Sequence, residues 1–294
     1  MTWSDSQRWF VDDSTHAQRR NSQRGRSRSE LVAYHAAALN QLLQRVIAEN
    51  RFYNNKLSSS LRSNDFWEQW RHLPFTTKQE LSDSSGLAPN HTYESGAYTR
   101  FHRTSGSTGR PLVILDRQAD WLEWIIAWQD VLDAAAIAPG ERVFMAFSFG
   151  PFIGFWSAHE ACIARGCCII PGGGLSTVAR IDLLRTCQAT VLFSTPTYTL
   201  HLADEALKRG IDPRSFGLKK IIVAGEAGGS VATVRERIEQ TFGAQLTDHA
   251  GATEVGPWGY GSPDGKSLII NEHHFFAEFL PWNHEIPTGT LIPG

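Results

Sequence analysis

The densest set of groups suited to phosphate is Thr104-Ser105-Gly106-Ser107-Thr108-Gly109-Arg110-Pro111, with Arg103 just ahead of it. Glycines let backbone N–H groups turn toward an anion, hydroxyls donate further hydrogen bonds, and a guanidinium adds a forked, charge-assisted contact. The segment lacks the G-x-x-x-x-G-K-[ST] spacing, and Pro111 would stop a helix from running on from it, so it is not a Walker loop. On these residues alone, an anion-binding loop and a flexible Ser/Gly linker both stand.

Two further clusters follow apolar runs. Ala224-Gly225-Glu226-Ala227-Gly228-Gly229 comes directly after Ile221-Ile222-Val223, and Asp248-His249-Ala250-Gly251-Ala252-Thr253-Glu254 comes after Ala244-Gln245-Leu246. Ligands of open α/β sheets sit at the carboxyl ends of strands, where both clusters would fall. Glu254 next to Thr253 offers hard oxygen donors of the kind Mg²⁺ takes beside substrate phosphates. A plain strand-to-helix turn and a capped turn are the structural alternatives.

Other chemistries lack their residues. No G-x-S-x-G elbow supports a serine hydrolase, and no H-E-x-x-H supports a zinc hydrolase; His273 and His274 are adjacent and would point apart on a strand. Cys162, Cys167, Cys168 and Cys187 lack paired C-x-x-C spacing and read as buried reduced thiols.

The elements that would position these clusters are legible in the apolar pattern. The chain has 294 residues, 41% hydrophobic and 20% charged, enough to bury one large core or two modest ones. Leu31, Tyr34, Ala38, Leu42, Val46 and Ile47 repeat at helical spacing, and Trp121, Trp124, Ile125, Trp128, Val131 and Leu132 form a second stripe that reads as core. Beyond it, strand-like runs at 143–147, 168–170, 191–193 and 221–224 alternate with helical segments at 197–209 and 230–242. That alternation predicts an α/β fold, parallel strands layered between helices. From Trp258 onward, short strands broken by Gly261-Ser262-Pro263-Asp264-Gly265 predict β-hairpins.

Between His16 and Glu30 lie Arg19, Arg20, Arg24, Arg26 and Arg28 with almost nothing apolar to bury, and residues 1–30 read as a disordered arm. A formal net charge of −2 and the lack of aromatics interleaved with those arginines disfavour nucleic acid as a partner. The start shows no basic region followed by an apolar run, and no apolar stretch reaches the ~18 residues of a membrane helix, so no membrane and a cytoplasmic location are expected.

In order and spacing these segments resemble the phenylacetate:CoA ligases, part of the adenylate-forming superfamily with acyl-CoA synthetases, peptide-synthetase adenylation domains and luciferase. The resemblance runs from about Leu31 onward. It rests on Arg51-Phe52-Tyr53-Asn54-Asn55-Lys56-Leu57, Leu73-Pro74-Phe75-Thr76-Thr77-Lys78, the loop at 104–110, Ile170-Pro171-Gly172-Gly173-Gly174, Thr195-Pro196-Thr197-Tyr198, Gly225-Glu226-Ala227 and Gly251-Ala252-Thr253-Glu254. It implies an AMP-binding large domain at 31–294 whose residues 31–100 are a helical N-terminal subdomain. It implies an ATP-dependent ligase that joins an aryl or arylacetic carboxylate to AMP and then to coenzyme A, with Mg²⁺. By the same resemblance Thr104, Ser105, Gly106, Ser107, Thr108, Gly109 and Arg110 hold ATP phosphates. Gly225, Glu226 and Ala227 line adenine, Thr253 touches the α-phosphate, and Glu254 holds Mg²⁺. Asp248 and His249 join the nucleotide side, while Phe149, Phe152, Ala250, Gly251 and Ala252 join the carboxylate side.

Two departures accompany the resemblance. Ala250 stands where relatives carry an aromatic residue that stacks on adenine, a contact worth roughly 1–3 kcal/mol by analogy with base stacking. The sequence also stops at Ile292-Pro293-Gly294, before counterparts of the relatives' ribose-binding Asp, hinge and small lid with its catalytic Lys. Two alternatives remain open at this stage: a ligase completed by a separate lid or a longer parent chain, weakly active or inactive alone, or a non-catalytic module that binds nucleotide or acyl-adenylate. Homodimerisation is left open as well.

Overall fold

The computed structural model describes residues 18, 20–22, 24–60, 65–82, 89–106, 111–148 and 150–279. The chain divides into two compact units, one of residues 21–118 with 276–294 and one of residues 1–20 with 119–275.

The first unit is mostly helical among its described residues. Helix α1 (Arg28–Glu49) opens on a capping box: the Ser27 hydroxyl accepts from the Glu30 N–H, and the Glu30 carboxylate accepts from the Ser27 N–H at 2.7 Å. The helix therefore starts three residues before its apolar stripe does. Asn50 ends α1 and caps α2 (Arg51–Leu57), accepting from the Tyr53 N–H at 3.0 Å while its amide nitrogen donates to the Asn90 carbonyl and the Thr92 hydroxyl. Helix α3 (Phe66–Arg71) begins at Asp65, and α4 (Lys78–Leu81) begins at a second capping box, Thr77 with Glu80. Strands β1 (Arg100–Arg103) and β2 (Val113–Asp116) pair antiparallel, Arg100 opposite Asp116 and Arg103 opposite Val113.

The second unit follows the alternation in the sequence. Helix α5 (Gln118–Ala134) leads into β3 (Arg142–Met145), α6 (Ile153–Ala164), β4 (Cys168–Pro171), α7 (Thr177–Cys187), β5 (Val191–Ser194), α8 (Pro196–Lys208), β6 (Lys220–Val223) and α9 (Ala232–Phe242). Strands β7 (Gln245–Ala252), β8 (Gly256–Gly261) and β9 (Leu268–Ile270) complete a sheet of order β4-β3-β5-β6-β7-β8-β9. The pairs among β4, β3, β5, β6 and β7 are parallel, and β7–β8 and β8–β9 are antiparallel. The expected layered α/β fold with terminal hairpins is what forms.

Strand alternation builds two cores. Val143, Met145, Val191, Phe193 and Ile222 face α5 and α6, where Trp121, Trp128 and Leu132 are buried against them. Phe144, Leu192, Ile221, Val223 and Leu246 face the opposite way, against Ile181 of α7, Leu202 of α8 and Phe242 of α9. Each such fully buried aliphatic or aromatic side chain contributes about 1.5–3 kcal/mol. Behind α5, Asp133 accepts from Arg165 at 2.7 Å and from Arg20 at 2.8 Å. Burial works to raise the Asp133 pKa, and the two guanidiniums outweigh it and hold the carboxyl low.

Two expectations change here. Of the cysteines only Cys162 is buried, and Cys168 is exposed because β4 is an edge strand. Within the stretch expected as a disordered arm, residues 1–17, 19 and 23 lie outside the described residues, whereas Arg20 is buried against Asp133 and the capping box at Ser27 starts α1. No described helix is long and apolar enough to cross a membrane.

Candidate functional site

Register brings three of the sequence clusters side by side. Ser194 at the end of β5 lies opposite Val223 at the end of β6, and Val223 lies opposite Asp248 in β7. The segments at 195–198, 224–229 and 249–254 therefore leave the sheet at neighbouring points along its carboxyl edge, where ligands bind in open α/β sheets.

Glu226 is turned toward α8. The Thr195 side chain caps that helix, Pro196 opens it, and one Glu226 carboxylate oxygen accepts from the Thr197 N–H at 2.9 Å and the Thr197 hydroxyl at 2.5 Å. A carboxylate at a helix N-terminus is favoured by the free N–H groups and the dipole. Partial burial works to raise the Glu226 pKa, and the Thr197 hydrogen bonds outweigh it and keep the group below the usual range. Its side chain thus fixes the loop 224–229 to α8, and Gly225 and Ala227 are exposed.

Strand β7 sends alternate residues to opposite faces. Asp248 lies with Ser230, whose hydroxyl donates to its carboxylate, and with Gly229, where an added Cβ would fall 2.4 Å from the Asp248 carboxyl carbon. Only glycine fits there. Burial pushes the Asp248 carboxyl above the ordinary aspartate range, outweighing the hydrogen bond from Ser230. By the same alternation Ala250, half-buried, belongs to the Asp248 face.

His249 lies on the other face. Its ring packs 4.1 Å from that of Trp128, and its Nδ1 lies 3.0 Å from the Gly259 carbonyl. Burial lowers its pKa to about 4, the bond to Gly259 opposing this in part. The imidazole is accordingly neutral near pH 7.

That face opens on a cavity of about 250 Å³, walled by Trp124, Trp128, Phe147, Phe152, Phe193 and His249 and continuing into Gly225, Gly251, Ala252 and Thr253. It is apolar and aromatic, with backbone and hydroxyl groups along one side, the composition of a small-molecule pocket. Phe152 caps α6 and is 41% exposed, so it serves as wall rather than core. Phe149 lies outside the described residues.

The structure thus gathers Phe152, Gly225, His249, Gly251, Ala252 and Thr253 around one cavity, and sets Asp248, Ala250 and Glu226 away from it. Glu254 is exposed, one residue past Thr253. His249, grouped with the nucleotide by sequence, lies in the aromatic wall instead. Trp124 and Trp128, read from sequence as core, also line the cavity; their spacing of four on one helix face was the available signal.

The hydroxyl-rich loop belongs to the first unit and links β1 to β2. Thr104 is buried, its N–H donates to the Leu112 carbonyl at 3.0 Å, and its hydroxyl accepts from the Leu112 N–H at 2.9 Å. Thr104 therefore closes the base of the loop, and Ser105 and Gly106 rise from it. Ser107, Thr108, Gly109 and Arg110 lie outside the described residues.

No family model matches the chain. It is 31% identical over 236 residues to a phenylacetate-coenzyme A ligase of Pseudomonas putida, covering 77% of this chain and 51% of that protein. It is 28% identical over 264 residues to the phenylacetate-coenzyme A ligase of Escherichia coli strain K12, covering 85% of this chain and 58% of that one. The chain thus spans about half the length of the curated relatives it matches. Among solved structures it is similar to 2-hydroxyisobutyryl-CoA ligase in complex with 2-HIB-AMP and CoA, with TM-score 0.77 and 25% identity over 83% of this chain and 54% of that one.

Proposed function

We propose that this chain, a member of the adenylate-forming superfamily, carries the nucleotide- and carboxylate-binding core of an ATP-dependent carboxylate–coenzyme A ligase. One observation carries the reading: an aromatic cavity of about 250 Å³ lies at the carboxyl edge of the sheet, and its wall runs directly into Gly251, Ala252 and Thr253. An acid seated in the cavity would present its carboxylate to Thr253, to which the resemblance assigns the α-phosphate. The acyl-AMP and CoA held by the structural relative support the same order of events.

In this reading the carboxylate attacks the α-phosphorus of ATP, pyrophosphate leaves, and the thiol of coenzyme A then attacks the acyl carbon and expels AMP. The protein forms no covalent bond; it positions reactants and offsets charge. The loop 104–110 binds phosphates, Thr104 holding its two ends together. Gly225 and Ala227 offer backbone to the nucleotide while Glu226 anchors their loop on α8. Thr253 contacts the α-phosphate.

Glu254 and Thr253 present adjacent oxygen donors, which fit a Mg²⁺ that arrives with ATP and needs few protein ligands beyond the phosphates. Among the described residues no group of three or more His, Cys, Asp and Glu could hold a metal ion. Magnesium, when bound, neutralises phosphate charge.

A second reading, a module that binds acyl-adenylate without turnover, is favoured by Ala250, whose methyl group cannot stack on adenine. Calorimetric titration with Mg·ATP and with a nonhydrolysable phenylacetyl-adenylate analogue separates the outcomes. Binding of both by the wild type, with Mg·ATP affinity lost in Glu254→Ala, supports the ligase site. Binding of the acyl-adenylate alone supports the module, and binding of neither removes both readings.

A further inference from the structure

We propose that the acid accepted by this cavity carries a hydroxyl group that donates a hydrogen bond to Nε2 of His249. The inference rests on the adenylation reading and deepens it by naming a feature of the substrate.

The argument begins with Gly259. A backbone carbonyl only accepts, so the nitrogen 3.0 Å from it, His249 Nδ1, must carry the ring proton. A neutral imidazole has one N–H, and full burial keeps this ring neutral. Nε2 therefore presents a lone pair. Its tautomer is fixed by a backbone atom of β8, which does not depend on side-chain rotamers.

The position of Nε2 follows from Gly251. An added Cβ at Gly251 would lie 3.1 Å from Nε2, so this edge of the ring runs along a residue that lines the cavity and has no side chain to cover it. Among the described residues no donor reaches Nε2. The nearby donors are already used: Trp128 Nε1 donates to the Ser157 hydroxyl at 2.8 Å, and that hydroxyl donates to the Gly154 carbonyl at 3.2 Å.

A purely apolar acid would fill the aromatic walls and strip water from a lone pair that then has no partner, which is costly. A hydroxylated acid supplies the missing donor. Sites built to bond a substrate hydroxyl discriminate against the analogue that lacks it, because the site's own polar atom is left unpaired.

The test uses nonhydrolysable acyl-adenylate analogues (acyl sulfamoyl adenosines) of phenylacetate, its three ring-hydroxylated isomers and the matching ring-fluorinated isomers, titrated calorimetrically into the 294-residue chain. Fluorine keeps nearly the size of hydroxyl and removes the donor. One hydroxylated isomer should bind about 10- to 100-fold more tightly than its fluorinated counterpart and the parent. In His249→Phe that gap between hydroxylated and fluorinated isomers should close. If the parent binds the wild type and every hydroxylated isomer stays within about threefold of it, the proposal is overturned and the adenylation reading stands. If no analogue binds, both fall. The wild-type comparison of hydroxyl with fluorine decides the matter even if His249→Phe does not fold.

Discussion

Replacing His249 by phenylalanine should remove an acid-sensitive part of the stability of the second unit. The folded ring has its pKa lowered from 6.5 to about 4 by burial. Between those values the unfolded chain binds a proton that the folded chain refuses, so stability is fully present above pH 6.5 and is lost as pH falls toward 4. The displacement corresponds to about 3 kcal/mol, with a slope approaching 1.4 kcal/mol per pH unit in the middle of the window. Phenylalanine keeps the packing against Trp128 and cannot take up a proton. It also leaves the Gly259 carbonyl without its donor, which costs about 1–2 kcal/mol near pH 7. The two stability curves should therefore cross: the variant is less stable near neutrality and more stable near pH 4.

Urea unfolding at fixed pH steps, followed by tryptophan fluorescence, tests this directly, since Trp128 lies against the ring. Selective ¹⁵N labelling of histidine gives the same answer at the atom: at pH 5.5 the His249 signals should show a neutral ring protonated at Nδ1. Parallel stability curves, a His249 that titrates near 6.5, or a proton on Nε2 would refute the reasoning and remove the basis for the hydroxyl proposal.

In the first unit, Thr104→Val deprives the Leu112 N–H of its acceptor and should cost about 1–2 kcal/mol locally, with faster hydrogen exchange at the Leu112 amide; unchanged exchange would mean that the loop base is held otherwise. In the second unit, Asp248 has its folded pKa raised by burial, so its contribution to stability is present below the ordinary aspartate range and lost as pH rises through the folded value. Asp248→Asn should match the wild type in melting temperature at acid pH and exceed it at neutral pH; a lower value at both would show that the ionised carboxylate is needed by Ser230 and its neighbours.

The sheet was legible in the sequence because parallel strands covered on both faces are nearly all apolar. Val191-Leu192-Phe193 and Ile221-Ile222-Val223 are such runs, and both are strands. The start of α1 was not, because its capping box sits in a stretch whose arginines dominate the composition. The partnership of Glu226 with Thr197 spans 29 residues and exists only through the register of β5 with β6, so no local pattern announces it. Alternation along β7 makes His249 and Ala250 point apart. Which of the two faces holds the aromatic cavity depends on α5 and α6 packing on one side of the sheet, a tertiary fact.

That division bears on the departure at Ala250. The aromatic residue missing there would have belonged to the face of β7 that holds Asp248, Ser230 and Gly229, away from the cavity walled by Trp124, Trp128 and Phe152. Loss of a stacking contact on one face leaves the apolar walls on the other intact, since the two sets of side chains meet only through the strand between them. Under the proposed function an acyl-adenylate would span both faces, its acyl part in the aromatic cavity and its adenine part beside Ala250. Weak affinity for ATP and firm affinity for the acyl-adenylate are therefore compatible in one site, and the second would come from the aromatic cavity rather than from the nucleotide loops.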